Sequence, residues 1–340
     1  MIGGMLASII LGFVPMFIFA WLIYWLDRYE KEPIILLVAA FLWGAIISAG
    51  ISFILNTVLG TGVYLLSGSE VAANFSVSSI IAPIIEECAK GIAVLLVLLF
   101  FHSEFDSILD GIIYGAVTAL GFAATENAYY IFTMGFQVSG WTGFWELAFI
   151  RIILVGWQHP FYTAFTGIGL ALTRMNRSTV IKMFAPVGGL FLAIFTHSAH
   201  NTLAPLLAYS GSVGSLLIAS QIDWLGWGLM LIFIIFLINR EKKLLALHLQ
   251  EEIQYNIITK NQYKIILSHS LRNKLRLRLL SSNIQGAYRA LNILNQQSGE
   301  LAHKKNQYLK FGDESNNLET IQSIRKELYH ASIALRPMTE

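Results

Sequence analysis

Seven long apolar segments alternate with short polar breaks over the first two thirds of the chain. Each is about as long as the roughly 20 mostly apolar residues that an α-helix needs to cross a bilayer. The segments fall near residues 5–26, 34–60, 78–101, 108–133, 146–172, 183–208 and 222–239. The weak ten-residue alternation that is typical of transmembrane β-strands is absent. The pattern therefore predicts an all-α, polytopic transmembrane helix bundle of about seven spans.

Composition agrees with a membrane protein and divides the chain in two. Of the 340 residues, 55% are hydrophobic and 13% are charged, which is about half the charged share of a soluble domain. Residues 1–239 carry 7 Lys and Arg against 12 Asp and Glu, whereas residues 240–340 carry 16 against 9. We therefore expect a transmembrane domain over 1–239 and a basic, helical region over 240–340. That region shows no nucleic-acid motif, and it is either a plain appendage or a surface for anionic lipid headgroups.

Ionisable and amide side chains interrupt four of the seven segments. A charge at the bilayer centre costs about 2.5–3.5 kcal/mol on insertion scales, so such residues mark functional sites by default. In chain order they are Glu86, Glu87 and Lys90, then Glu126 and Asn127, then Arg151, Gln158 and His159, and finally His197, His200 and Asn201. Threaded alternately across the bilayer at 1.5 Å per residue, they fall in one layer between its outer third and its middle. A shared depth on four helices predicts one polar site.

Helical spacing indicates which of these groups can meet. Glu86 and Lys90 are four residues apart, so they share a helix face and can pair, while Glu87 lies about 100° round the helix. His197 and Asn201 are also four apart and point together. Taken singly, each group has a structural explanation, such as a buried ion pair or a hydrogen bond between helices. Small residues along the fourth segment suit close helix packing; they are Gly111, Gly115 and Ala119.

Four short motifs occur in order between residues 15 and 205, and together they resemble the PrsW family of intramembrane proteases, distant relatives of the CAAX prenyl endopeptidases. EECAK matches a Glu-Glu-x-x-Lys motif, and GFAATEN matches Phe-Ala-x-x-Glu-Asn. RIILVGWQHPFYTAFTGIG matches Arg-x7-His followed by Thr-x2-Gly, and HSAHN matches His-x3-Asn. DRYEKEP, after the first segment, matches the acidic entry loop of that family. His200 departs from the family pattern, in which an aromatic residue is more usual.

The resemblance implies an intramembrane endopeptidase that cuts membrane-anchored protein substrates. In the best-known member the substrate is an anti-sigma factor, cut on its external side as the first step of regulated intramembrane proteolysis. A proton-coupled transporter is the main alternative, because its relays also use intramembrane Glu and His. However, the internal repeats and broken helices of transporters are not evident. A non-enzymatic membrane scaffold is a third reading.

Peptide hydrolysis needs an activated water, stabilisation of the oxyanion and a proton for the leaving amine. One of Glu86 and Glu87 is the candidate base, with Lys90 orienting or discharging the other. We expect His159 to share the water or to protonate the leaving group. His197 and Asn201 are the predicted oxyanion donors. We expect Glu126 to hold a histidine and Arg151 to position a carboxylate. Asn127 and His200 are the predicted supporting residues.

Metal dependence divides the mechanism into two. We favour a glutamate protease with no cofactor, because the local HExxH zinc motif is absent. The alternative is a zinc ion held by Glu126, His159 and His197, a three-ligand set with one open position. The sequence leaves the oligomeric state and the identity of the substrate open.

The distribution of basic residues predicts the topology. Lys and Arg cluster after the first segment (Arg28, Lys31), between the fifth and sixth, and after the last (Lys242, Lys243). By the positive-inside rule, seven spans with an external N-terminus place all three clusters in the cytoplasm, together with residues 240–340. We therefore expect a multi-pass protein of the cell membrane. A compartment reporter fused after Lys243 should be active inside the cell, and activity outside would contradict this topology.

Overall fold

The computed structural model describes residues 1–208, 213–281, 285–313 and 316–339. These residues form helices and contain no β-strand, so the all-α prediction is confirmed. The helices are α1 (Ile2–Leu26), α2 (Ile34–Leu42), α3 (Ala49–Ser67), α4 (Glu70–Ser76), α5 (Ala82–Phe100), α6 (Ile108–Tyr130), α7 (Gln137–Ala148), α8 (Gln158–Met175), α9 (Thr179–Ala208), α10 (Val213–His248), α11 (Gln250–Gln254), α12 (Lys260–Leu267), α13 (His269–Ser281), α14 (Gln285–Phe311) and α15 (Asn317–Thr339). Wider π-helical turns extend several of them, at Trp43–Ser48, Val77–Ile81, Ile131–Phe136 and Phe149–Leu154.

The chain divides into two compact units. The first holds Met1–Leu26 and Glu32–Ile234, and the second holds Asp27–Lys31 and Ile235–Glu340. The predicted assignment of a protease domain to 1–239 and a cytoplasmic region to 240–340 concerns activity and compartment, so it stays a prediction.

Four helical stretches among the described residues are long and apolar enough to cross a membrane: Ile2–Leu26, Ile34–Ser67, Ile108–Met175 and Thr179–Leu203. The third is 68 residues long and is kinked at Ser139 and Gly140, where the backbone leaves helical geometry. Gly140 has φ +60°, which suits glycine because it has no Cβ. The number of spans, predicted as seven, stays a prediction.

Helix α6 forms the centre of the first unit. It begins with a capping box, in which Ser107 Oγ accepts from the Asp110 amide and Asp110 Oδ2 accepts from the Ser107 amide, satisfying two donors of the first turn. Every residue from 111 to 124 is buried, as expected for a helix covered on all sides. By contrast, α1 exposes large apolar side chains such as Trp21, a composition that suits contact with lipid.

Glycines allow the backbones around α6 to touch. A Cβ on Gly111 would lie 2.2 Å from the Gly167 carbonyl oxygen of α8, and one on Gly115 would lie 2.8 Å from the Thr163 oxygen. On another face, a Cβ on Gly121 would lie 1.9 Å from the Phe41 oxygen of α2. The predicted close packing at Gly111 and Gly115 is therefore confirmed. These contacts fix the position of α8, and hence of the polar residues in its first turn.

The second unit has its own core and a buried charge network. Leu291, Leu294, Leu328 and Leu335 of α14 and α15 are fully buried. Glu252, also fully buried, accepts from Lys305 and from Arg325, whose Nη2 lies 2.8 Å from Glu252 Oε1. Buried charge therefore meets opposite charge, as burial requires.

Filling the contact between α6 and α8 should destabilise the first unit. We expect Gly111→Ala to lower stability by about 1–3 kcal/mol, the usual cost of overpacking, because the backbone oxygen of Gly167 cannot move aside as a flexible side chain could. The control is Gly188→Ala, where no atom lies within 4 Å of the added Cβ. Thermal unfolding of the full chain in detergent measures both, and equal midpoints would contradict the packing described.

Candidate active site

Glu87 is the most highly coordinated carboxylate of the first unit's polar centre. It lies on α5 with no exposed surface. Its Oε1 accepts from Lys90 Nζ at 2.6 Å and lies 2.9 Å from His197 Nδ1 on α9, while Oε2 accepts from Thr163 Oγ1 on α8 at 2.8 Å. Both oxygens are thus engaged by three helices. The contact at Nδ1 fixes the orientation of the His197 ring and directs Nε2 elsewhere.

Lys90 pairs with Glu87 and not with Glu86, the i,i+4 partner that helical spacing also allowed. Helical spacing alone permits either partner, because residues three and four apart both share a face. Thr163 and His197 hold Glu87 in place, and Lys90 completes its coordination. Lys90 is itself fully buried.

Glu86 has a different environment from its neighbour. It is 6% exposed, and its Oε2 is buried without a hydrogen-bond partner among the described residues. His197 Nε2 lies 3.8 Å from that oxygen. The two adjacent glutamates therefore differ in their contacts. Both oxygens of Glu87 are engaged, whereas Oε2 of Glu86 is available to accept a hydrogen bond.

His159, in the first turn of α8, faces charged groups through both ring nitrogens. Nε2 lies 2.7 Å from Glu126 Oε2 on α6, and Nδ1 lies 3.4 Å from Lys90 Nζ. Arg151 Nη2 contacts the same Glu126 oxygen at 2.8 Å, while Arg151 Nε donates to Asn127 Oδ1 at 2.8 Å. Glu126, Arg151 and Asn127 thus hold the side of His159 that faces away from Lys90.

Asp223 of α10 is a candidate site residue that the sequence patterns did not indicate. Its Oδ2 accepts from Gln158 Nε2 at 2.6 Å and lies 3.1 Å from His200 Nδ1. Gln158 Nε2 also lies 2.8 Å from His200 Nδ1. The signal was available in QIDWLGWG, where a carboxylate stands at the edge of the last apolar segment. Asn201, predicted to stabilise an oxyanion, donates its amide to the Ser78 carbonyl at 3.0 Å.

Two cavities adjoin these residues within the first unit. The polar one, of about 220 Å³, has a lining that includes Glu126, Arg151, His159, His197, His200, Asn201 and Asp223. It has room for several water molecules, each of which occupies about 30 Å³ in the liquid. The other, of about 510 Å³, is almost wholly apolar, and its lining includes Trp157, Pro160 and Trp224, which neighbour the polar residues in sequence.

One set of donors fits a divalent metal ion. Glu86, His159 and His197 each offer a ligand atom, and these atoms lie within 4.8 Å of one another. One carboxylate and two histidines form a known type of catalytic zinc site. The contacts from Glu87 to His197 and from Glu126 to His159 are of the kind that orients metal-binding histidines. This set contains Glu86, whereas the sequence pointed to Glu126 as the carboxylate ligand.

Comparison with known proteins assigns the chain to a family. Residues 32–240 match the model of the PrsW family intramembrane metalloprotease. The chain is 30% identical to Protease PrsW of Bacillus subtilis over 51% of its own length and 71% of that protein. It is 36% identical to Protease PrsW of Clostridioides difficile over 36% and 50% of the two chains, and 30% identical to that of Geobacillus kaustophilus over 42% and 56%.

No solved structure matches the chain. The family match nevertheless spans more than half of the chain and contains every candidate site residue named above. The chain therefore belongs to the PrsW family of intramembrane proteases.

Proposed function

We propose that the protein is an intramembrane endopeptidase that cuts membrane-anchored protein substrates, with Glu86 as the carboxylate that activates the attacking water. The observation that carries this proposal is the buried, unpartnered Oε2 of Glu86, which lies 3.8 Å from His197 Nε2. That separation allows one water to hydrogen-bond to both groups. A positioned general base contributes about 10²–10⁴-fold to a rate.

Glu87 prepares His197 for this task. With Nδ1 held by Glu87 at 2.9 Å, the ring turns Nε2 towards Glu86 and the water between them. Lys90 and Thr163 neutralise and anchor Glu87, so that it does not compete for the water's proton. This arrangement supports Glu86, and not Glu87, as the proposed base.

His159 is the proposed proton donor to the leaving amine. It lines the polar cavity, and its Nε2 lies 2.7 Å from Glu126 Oε2, which orients the ring. Arg151 balances the charge of Glu126 through a 2.8 Å contact. Donors near the cavity can also stabilise the oxyanion, and the loss of one such donor typically costs about 10²–10³-fold.

The Asp223 carboxylate has a positioning role. It binds Gln158, which directly precedes His159, and so ties the first turn of α8 to α10. It also orients His200 through Nδ1. We assign Asp223, Gln158 and His200 to holding the wall of the cavity and the position of His159.

The metal-free route is favoured by the surroundings of His159. Both ring nitrogens face charged partners, Glu126 at Nε2 and Lys90 at Nδ1. A divalent ion would instead be held by Glu86, His159 and His197, and when bound it would supply Lewis acidity and a more acidic water. On that route Glu86 would be a ligand of the ion and not the base.

The substrate proposed is an apolar, membrane-anchored segment. The apolar cavity suits large apolar side chains. Its lining residues Trp157, Pro160 and Trp224 are direct neighbours in sequence of the polar residues Gln158, His159 and Asp223. A membrane-anchored anti-sigma factor, the substrate class implied by the motif resemblance, fits this requirement. Cleavage near the external side agrees with the predicted depth of the polar residues.

Replacing the two glutamates separately should give different defects. Glu86→Gln should lower the cleavage rate about 10²–10⁴-fold with an unchanged unfolding midpoint. Glu87→Gln should also lower the midpoint, because removing one partner of a buried ion pair costs about 3–5 kcal/mol. Cleavage of a fluorogenic transmembrane peptide and thermal unfolding of the full chain measure the two effects. Glu146→Gln, at an exposed glutamate of α7, is the matched control, and full activity in Glu86→Gln would refute the assignment.

Elemental analysis of the same preparations separates the two mechanisms. On the metal-free route, purified protein contains no stoichiometric zinc, and chelators leave cleavage intact. Stoichiometric zinc that is absent from Glu86→Gln, with activity lost on its removal and restored on its return, would instead make Glu86 a ligand.

Loss of the Asp223 carboxylate should lower kcat more than it changes KM, because His159 is misplaced while substrate binding is kept. We expect a fall of about 10–100-fold for Asp223→Asn, the range typical for groups that orient a reacting residue. Asp223→Glu should recover part of the rate by restoring the contact with Gln158. Steady-state kinetics on the fluorogenic peptide check this, and a change confined to KM would place Asp223 in substrate binding.

A further inference from the structure

The loop between α1 and α2 is built into the second unit. Arg272 of α13 donates through Nη1 to the Arg28 carbonyl at 2.5 Å. The Lys31 backbone and the Gln296 side chain of α14 exchange two hydrogen bonds, of 2.9 and 3.1 Å. Gly299 of α14 lies so close to the loop that a Cβ there would come within 2.6 Å of the Tyr29 carbonyl oxygen. The loop is thus held in one defined place against α13 and α14.

Positive charge is concentrated at this junction. Arg28 and Lys31 on the loop and Arg272 and Arg276, one turn apart on α13, form what we term the loop-one cation cluster. Burial, with the charges of Arg272, Arg276 and Arg28, lowers the pKa of Lys31 to about 8, against the opposing effect of Asp27. The four cations therefore act on one another.

Two guanidinium groups of the cluster retain unused donors. Arg272 is 6% exposed, and its Nη atoms donate to the carbonyls of Arg28 and Ile266. Its buried Nε, however, has no acceptor among the described residues, and the same holds for the Nε of Arg276. A buried donor without an acceptor destabilises the state that contains it. An anion bound here would supply the acceptor and the opposite charge together.

We propose that the loop-one cation cluster binds a phosphate group. Guanidinium groups present several N–H donors in a planar array, and an ammonium adds a point charge; both are characteristic of phosphate sites. Arg28 follows Leu26, the last residue of the apolar helix α1, by two positions. This position next to an apolar helix favours the phosphate of an anionic lipid headgroup as the ligand. Soluble phosphate offers the same chemistry.

Such a site gives residues 240–340 a function apart from peptide hydrolysis. The phosphate would bridge α13 and the α1–α2 loop, so an anionic lipid would stabilise the contact between that loop and α13. This inference does not rest on the proposed protease activity.

Native mass spectrometry of the full chain in detergent, with equal amounts of phosphatidylglycerol and phosphatidylcholine, tests the site. We expect preferential retention of phosphatidylglycerol. Arg276→Gln and Lys31→Gln should each weaken that retention about tenfold, the effect of one hydrogen bond to a charged group. Arg278→Gln is the control, because Arg278 is an exposed arginine of the same helix and its loss changes the net charge equally.

A second arm separates the sources of phosphate. Thermal unfolding of the full chain in phosphatidylcholine nanodiscs is followed as inorganic phosphate replaces chloride at constant ionic strength. If phosphate raises the unfolding midpoint, and Arg276→Gln abolishes this rise while Arg278→Gln keeps it, soluble phosphate is a ligand of the site. If phosphate does not raise the midpoint but phosphatidylglycerol is retained selectively, the ligand is the lipid headgroup. Equal lipid retention by the protein, the cluster variants and the control, with no effect of phosphate on the midpoint, would overturn the proposal.

Discussion

The arrangement of the polar centre depends on the coordination of one buried carboxylate. Glu87 is engaged by Lys90 from its own helix, by Thr163 from α8 and by His197 from α9. Without these donors an ionised carboxylate in an apolar interior is strongly unfavourable. Because the donors belong to three helices, satisfying Glu87 also fixes the distances between those helices. The availability of Glu86 is a consequence, since its neighbour takes the fixed donors.

Packing around α6 supplies the second constraint. The backbone contacts at Gly111 and Gly115 bring α8 against α6, and this closeness lets Glu126 reach His159. The helix is interrupted between Leu154 and Gln158, so Gln158 and His159 lie at the beginning of α8. Pro160 is accommodated there, because the first turn of a helix leaves its amide donors without intrahelical partners. The chemistry of the site therefore depends on small residues that take no part in it.

Sequence patterns predicted the helical class and brought together the polar residues of four helices, because hydropathy and depth are properties of single segments. The partner of Lys90 was not predictable from one helix, since spacing allowed both glutamates and the choice is made by Thr163 and His197. Asp223 was not predicted because it lies at the end of an apolar segment, where a charged residue is common. Its role becomes evident only from its contacts with Gln158 and His200 on other helices. The association of residues 27–31 with α13 and α14 joins positions more than 200 residues apart, and no local pattern encodes it.

The position of Glu87 and Lys90 on a single helix has a consequence for biogenesis. A segment with three charges is a poor candidate for insertion when each charge enters separately. Lys90 lies within about one helical turn of both glutamates, so it can pair with one of them as soon as α5 is helical, before α8 or α9 has been synthesised. The segment can then enter the membrane with a single uncompensated charge, that of the other glutamate. The charge spacing that later organises the polar centre thereby also lowers the barrier to placing it in lipid.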